Sequence, residues 1–161
     1  MLGMPSSTLS TLCFATLALC QSPAQPYTPI PDPIPPGLTF LYTSYALCAN
    51  PLYTTQGPNG LRTAIPVLGG NVTGPRISGH FRDLGADWGT TDIQTGIFSA
   101  DTRYNLLTDD GANVFLRTSG PTQENGDLHL RILFETGDKR YYWLNNVVGM
   151  GTFSFSFSGS D

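Results

Sequence analysis

Three stretches in the second half of the chain repeat with a period of two, and this period restricts the fold more than any other feature. From Ile97 to Thr108, Phe98, Ala100, Tyr104 and Leu106 share one face, and Asp101, Arg103 and Asn105 share the other. Ala112 to Thr118 alternates again, with Val114 and Leu116 opposite Phe115 and Arg117. Leu128 to Glu135 sets Leu128, Leu130, Ile132 and Phe134 against His129, Arg131, Leu133 and Glu135. Side chains alternate across a strand, so each run is a strand with one apolar face. Asp109-Asp110-Gly111 supplies a hairpin turn between the first two runs.

The rest of the chain extends the pattern. Leu38 to Ala49 reads as a strand, with Tyr42, Ser44 and Ala46 on one side and Tyr45 on the other. Asn50 to Gly60 is expected to be a loop with a Pro-Asn-Gly turn. Arg62 to Leu68 is a short strand at an edge or bulge, because it contains Pro66, and Gly69-Gly70 ends it. Arg76 to Arg82 alternates, and Gly85 to Gly89 is expected to be a loop or bulge. After a turn at Thr136-Gly137-Asp138-Lys139, Tyr141 to Asn145 is expected to be an aromatic-rich strand, with Tyr141, Trp143 and Asn145 on one side. Gly151 to Ser158 closes the set, with Phe153, Phe155 and Phe157 alternating with serines. Eight or nine short strands at this spacing fit an antiparallel barrel or a two-layer sandwich.

The chain has 161 residues, enough for one domain with a core. Its net charge is −4 and its eight basic residues are dispersed. That argues against nucleic acid, whose phosphates need a basic footprint, and against an anionic membrane surface. Residues 1–24 read as a secretory signal, with a 12-residue apolar run from Leu9 to Cys20 that is too short to span a bilayer. Residues 25–37 read as a stiff Pro-rich arm, and 38–158 as a single domain. The expected location is the secretory pathway or outside the cell. Asn71-Val72-Thr73 then becomes a glycosylation sequon at Asn71. Loss of the signal would leave Cys48 as the one cysteine, expected to be a small buried hydrophobe.

Few residues point to chemistry. Asp87 is the leading acid–base candidate, since a carboxyl desolvated against the adjacent Trp88 would have its pKa raised. Arg103 would hold an oxyanion or phenolate. Tyr45, Trp88, Tyr141 and Trp143 are candidate walls for a planar aromatic ligand, and Asn145 a group to orient a carbonyl. Arg131 and Glu135 lie about 13 Å apart on one strand face and are taken as further contact residues. His80 and His129 have no partners at zinc-ligand spacing, and no nucleophile elbow or phosphate loop occurs. The expectation is a site without metal or cofactor whose partner is a small molecule. Nothing here sets an oligomeric state.

The ordered set Gly69-Gly70, Gly74-Pro75, Gly85-Ala86-Asp87-Trp88, Arg103-Tyr104, Asp109-Asp110-Gly111, Phe134-Glu135-Thr136-Gly137 and Trp143-Leu144-Asn145 resembles domain-of-unknown-function family 3237. The chain looks like a fungal, secreted member. The resemblance implies a compact, calycin-like antiparallel β-barrel. It also implies, from some fungal relatives, a cofactor-free cyclase or isomerase acting on polyketide-type natural products. Relatives carry a longer C-terminal hairpin where this chain ends in TFSFSFSGSD, so the last strand is expected to be shifted or incomplete. Two further readings stay open: a non-catalytic binding module and a structural surface protein.

Overall fold

The computed structural model describes residues 32–156. The signal reading for residues 1–24, most of the Pro-rich arm and Phe157 lie outside them. Residues 32–37 are exposed and without regular structure, and a compact unit begins at Leu38. Among the described residues no helix is long and apolar enough to cross a membrane.

That unit is an all-β barrel built on one curled sheet. Its strands are β1 (Thr43–Cys48), β2 (Tyr53–Gly57), β3 (Gly60–Thr73), β4 (Gly79–Asp87), β5 (Thr90–Thr91), β6 (Phe98–Thr108), β7 (Asn113–Pro121), β8 (Leu128–Glu135) and β9 (Gly149–Phe153). All pairings are antiparallel, in the order β1-β3-β4-β6-β7-β8-β9. β2 pairs with β3, and β5 bridges β3 and β6. The alternation read from β6, β7 and β8 holds: Leu106, Val114, Leu116 and Leu128 are buried, while Phe115, Arg117, His129 and Arg131 are exposed.

Register aligns the inward residues in layers. One layer joins Ala46, Gly70, Phe81, Leu106 and Val114. The next joins Gly85, Tyr104, Leu116 and Phe134, and the third Ile65, Asp87, Thr102, Thr118, Ile132 and Gly149. Val72, Ile77, Phe81, Leu106, Val114, Leu116, Phe134 and Leu144 form the core, with Leu41, Tyr42 and Val147 packed against it. This closes one end of the barrel. Burying a side chain of this size contributes about 1.5–3 kcal/mol.

Five local expectations are corrected. Residues 50–60 are not all loop, since β2 forms a tight hairpin with β3 around Pro58-Asn59. β3 is not broken at Gly69-Gly70 but runs on for 14 residues, with a bulge where Gly70 takes φ +137°. A Cβ at Gly70 would collide with the Tyr45 carbonyl oxygen, so only glycine lets β1 approach there. Pro66 falls between the stretch of β3 paired with β2 and the stretch paired with β1, where a missing N–H costs no ladder bond to either. Tyr141 to Asn145 is not a strand: Tyr142–Asn146 is a 3₁₀ helix. The Tyr141 N–H donates to the Asp138 carbonyl, and the Leu144 N–H to that of Tyr141. The tight turn swings Leu144 into the barrel end, where it is fully buried, and packing overrides the β propensity of the aromatics. The edge of β8 pairs instead with β9, which starts at Gly149, two residues before the expected strand. Cys48, expected to be buried, is exposed.

Candidate active site

Asp87 ends β4 on the inward face of the third layer and is only 8% exposed. Its Oδ1 accepts the Asp101 backbone N–H at 2.8 Å. Burial raises its pKa above the ordinary carboxylate value, and the Asp101 carboxylate adds to the rise. Hydrogen bonds from the Asp101 backbone and the Thr102 side chain, and the charge of Arg62, work against it. Desolvation by the barrel interior is the largest cause of the rise.

The neighbouring inward groups are polar or small. Tyr104, hydrogen-bonded to the Thr118 side chain, has its phenol pushed up to about 12 by burial. Tyr42 is pushed up further, by burial and by Tyr104. Its ring meets Phe134 edge-on at 6.3 Å. Cys48 is paired with Val67, two residues from Ile65, the β3 partner of Asp87. It is exposed, yet partial desolvation and the Asp87 charge raise its thiol pKa. Ile65, Thr102 and Ile132 are half-buried, in contrast to the fully buried Leu106 and Leu116 below.

The other sequence candidates do not join Asp87. Arg103 lies on the outer face with Asp101, 3.2 Å away, and 5.8 Å from the Trp88 ring. Arg117 approaches the same Asp101 at 3.4 Å. Successive residues of a strand face opposite ways, so Trp88 stacks outside with Arg103 while Asp87 points in. It is the barrel interior that desolvates Asp87, not the indole. Arg131 and Glu135 are exposed on the outer face of β8, and Tyr45 on that of β1. Asn71 is exposed between Tyr45 and His80.

The remaining candidates gather at the closed end. The Tyr141 hydroxyl donates to Asp110 at 3.1 Å, beside a surface cleft of about 290 Å³. The Arg76 guanidinium lies 3.7 Å from the Trp143 ring centroid. Asn145 is a clamp: its side chain accepts the Thr136 N–H and donates to the Thr136 carbonyl, both at 2.9 Å. That fixes the turn after β8 and uses the amide that was expected to face a ligand. Among the described residues no three His, Cys, Asp or Glu side chains gather as a metal site.

Residues 36–132 match the family model described as protein of unknown function, DUF3237. The chain belongs to this family. DUF3237 relatives include a Penicillium herquei protein named hydroalkoxylation enzyme phnH, 32% identical over 74% of this chain and 76% of its own. The crystal structure of an enzyme from Penicillium herquei superposes with a TM-score of 0.66 at 29% identity, over 75% of this chain and 86% of that one. A β-barrel-like protein from Acinetobacter baumannii gives 0.60 at 29% identity, covering 74% and 88%. The matched segment carries β1 to β7 and most of β8, and with them Asp87 and its neighbours. The 3₁₀ helix and β9 lie beyond it.

Within this DUF3237 barrel the sequence reading missed Tyr42, Thr102, Tyr104 and Thr118 as site residues. The signal was present in β6 and β7: Thr102 and Thr118 stand at positions where the alternation calls for an inward, apolar side chain. A hydroxyl at such a position must find a partner or a ligand.

Proposed function

We propose that this protein is a cofactor-independent enzyme that closes an oxygen-containing ring in a small, partly aromatic natural product, with Asp87 moving the proton. One observation carries the reading: the Asp87 carboxyl, buried and desolvated, faces into the barrel among the hydroxyls of Thr102, Tyr104 and Thr118. The hydroalkoxylation named for the Penicillium herquei relative supplies the reaction class. In such a step a hydroxyl adds across a carbon–carbon double bond of the same molecule. The O–H and one C=C bond break, and a C–O and a C–H bond form. Asp87 gives its proton to the alkene carbon, and its carboxylate takes the hydroxyl proton as oxygen bonds to the neighbouring carbon. No atom is gained or lost. The barrel walls hold the reactive conformer and exclude water, a proximity effect.

The test uses an alkenyl phenol as substrate and looks for a product of equal mass with a different retention time. Asp87→Asn keeps the shape and the Oδ1 acceptor for the Asp101 N–H, so the fold persists. Turnover should fall about 10²–10⁴-fold, the usual contribution of a positioned acid–base group. Unchanged turnover in Asp87→Asn would remove the carboxyl from the mechanism. Retention of the compound without conversion by wild type would make the protein a carrier.

A further inference from the structure

We infer that Arg62 is the positioning residue of Asp87: its guanidinium takes the Trp88 carbonyl out of the ladder to β6, and the Asp101 N–H is thereby left to the Asp87 carboxyl. The inference rests on the proposed function for its catalytic meaning and on hydrogen bonds for its geometry. β4 pairs Asp87 with Thr102, and β5 pairs Thr90 with Ser99, so Trp88 stands opposite Asp101 in the same register. The residues of a hydrogen-bonded antiparallel pair exchange both N–H···O bonds. The Trp88 N–H donates to the Asp101 carbonyl at 3.0 Å, which makes this such a pair. The return bond is replaced. The Asp101 N–H donates at 2.8 Å to Asp87 Oδ1, and the Trp88 carbonyl accepts from Arg62 Nη1. Each half of that bond has been taken by a side chain.

The opening is confined to one side. Toward β3, Ile65 pairs with Asp87, and the Thr63 N–H donates to the Gly89 carbonyl at 2.9 Å. Arg62 reaches Trp88 from that intact side: it is half-buried on β3 and pairs with Thr55 of β2 and Thr90 of β5. Without the guanidinium, the Trp88 carbonyl would lack a partner beside the Asp101 N–H. The regular ladder bond would then form, because backbone groups in a sheet pair wherever they can, and Asp87 would lose its donor. The carboxyl would lose both the Asp101 hydrogen bond and the Arg62 charge, which hold its pKa down. Desolvation and the Asp101 carboxylate, which push it up, would remain. The other groups that face it are the hydroxyls of Thr102 and Tyr104 on β6 and Thr118 on β7, and the Cys48 thiol on β1. Arg103 and Arg117 are paired with the Asp101 carboxylate. Loss of Arg62 therefore moves the Asp87 titration to higher pH.

The test is an NMR pH titration of the full chain, which reads the hydrogen bond apart from turnover. In wild type the Asp101 amide proton should shift with the Asp87 carboxyl, at the same midpoint. An Asp101 amide that ignores this midpoint overturns the inference whatever the variants do. Asp87→Asn identifies the signal, because any shift left there comes from the Asp101 carboxyl. Arg62→Met removes donor and charge together. Its Asp101 amide should lose most of the response to Asp87, and the carboxyl should titrate at higher pH. Arg62→Lys keeps a charge and a donor and should bring both readouts back toward wild type. Arg103→Met, which acts on Asp101 from the outer face, should leave both in place. If Arg62→Met does not fold, Arg62→Gln, neutral and shorter, is read in the same way. An unchanged amide response and midpoint in the neutral variant overturns the inference, and so does an Arg62→Lys variant displaced as far as Arg62→Met. With an alkenyl phenol as substrate, the pH profile of kcat should move with the NMR midpoint. An Asp87 titration that follows Arg62 in a protein that converts no substrate would keep Arg62 as the positioning group and refute the proposed reaction, so the two readings fail separately.

Discussion

The barrel interior has two ends made by the same strands, and they differ in what those strands point inward. At the closed end β6 and β7 contribute Leu106, Val114 and Leu116, all fully buried, around Phe81 and Phe134. Four positions farther along β6 and two along β7, the same faces carry Thr102 and Thr118 beside Asp87, and β9 contributes only glycine. The backbone ladder is continuous between the two, so sheet geometry does not separate core from site. Side-chain volume and polarity do. Where Leu and Phe meet, the interior packs like an organic solid. Where Thr, Gly and one Asp meet, it holds a buried carboxyl whose pKa desolvation raises. On the proposed reading, a barrel of this kind is stabilised at one end and does its chemistry at the other.

Neighbouring positions on one strand should therefore respond differently. Leu116→Ala should destabilise the protein by about 2–5 kcal/mol, the range for emptying a packed core site. Thr118→Ala, two residues on, should cost only about 1 kcal/mol, the net worth of one hydrogen bond to Tyr104. Urea titrations of both variants make the comparison, and equal losses would mean that the Asp87 layer is simply more core. A smaller effect separates the ends by pH. The folded pKa of Asp87 lies above its unfolded value of about 3.9, so between those two values the folded state holds more protons. Stability from this group is then present at low pH and lost as pH rises through the folded pKa, by about 1.4 kcal/mol for each pH unit that separates the folded value from the unfolded one. Wild type should lose stability relative to Asp87→Asn from about pH 4 upward and level off above the folded pKa. A difference that is flat with pH, or of opposite sign, would show that the interior does not desolvate the carboxyl.

The closed end was the more legible part of the sequence, because period-two alternation of large apolar residues directly states which face is buried. β6, β7 and β8 came out with their faces right. The failures fall where tertiary contacts decide. Tyr141 to Asn145 has strand composition, but Asp138 and the cavity filled by Leu144 wind it into a 3₁₀ helix. β2 carries Thr54, Thr55 and Gln56, with no apolar face to read. Asp87 was legible as a chemical group, yet its raised pKa was traced to its sequence neighbour Trp88, which strand geometry sends to the other face. Residues that surround Asp87 come from β1, β3, β6 and β7, and only register brings them together.

That same geometry makes the smallest effect informative. Arg103 resembles an oxyanion group in sequence, but it stands on the outer face with Asp101, Arg117 and Trp88, with its side chain 38% exposed. Exposed ion pairs contribute little, so Arg103→Met should change stability by less than about 1 kcal/mol and leave turnover within about threefold of wild type. One route could still carry an effect inward. The backbone N–H of Asp101, the ion-pair partner of Arg103, is the donor to Asp87. Losing one arginine leaves Arg117 on Asp101, so that donor should hold its place and the pH profile should not move. A tenfold drop in turnover with an unshifted profile would return Arg103 to the list of groups that meet the substrate. The same drop with a shifted profile would instead make the outer ion pairs a support for the carboxyl, and the division between packed end and working end would then extend through the sheet to its outer face.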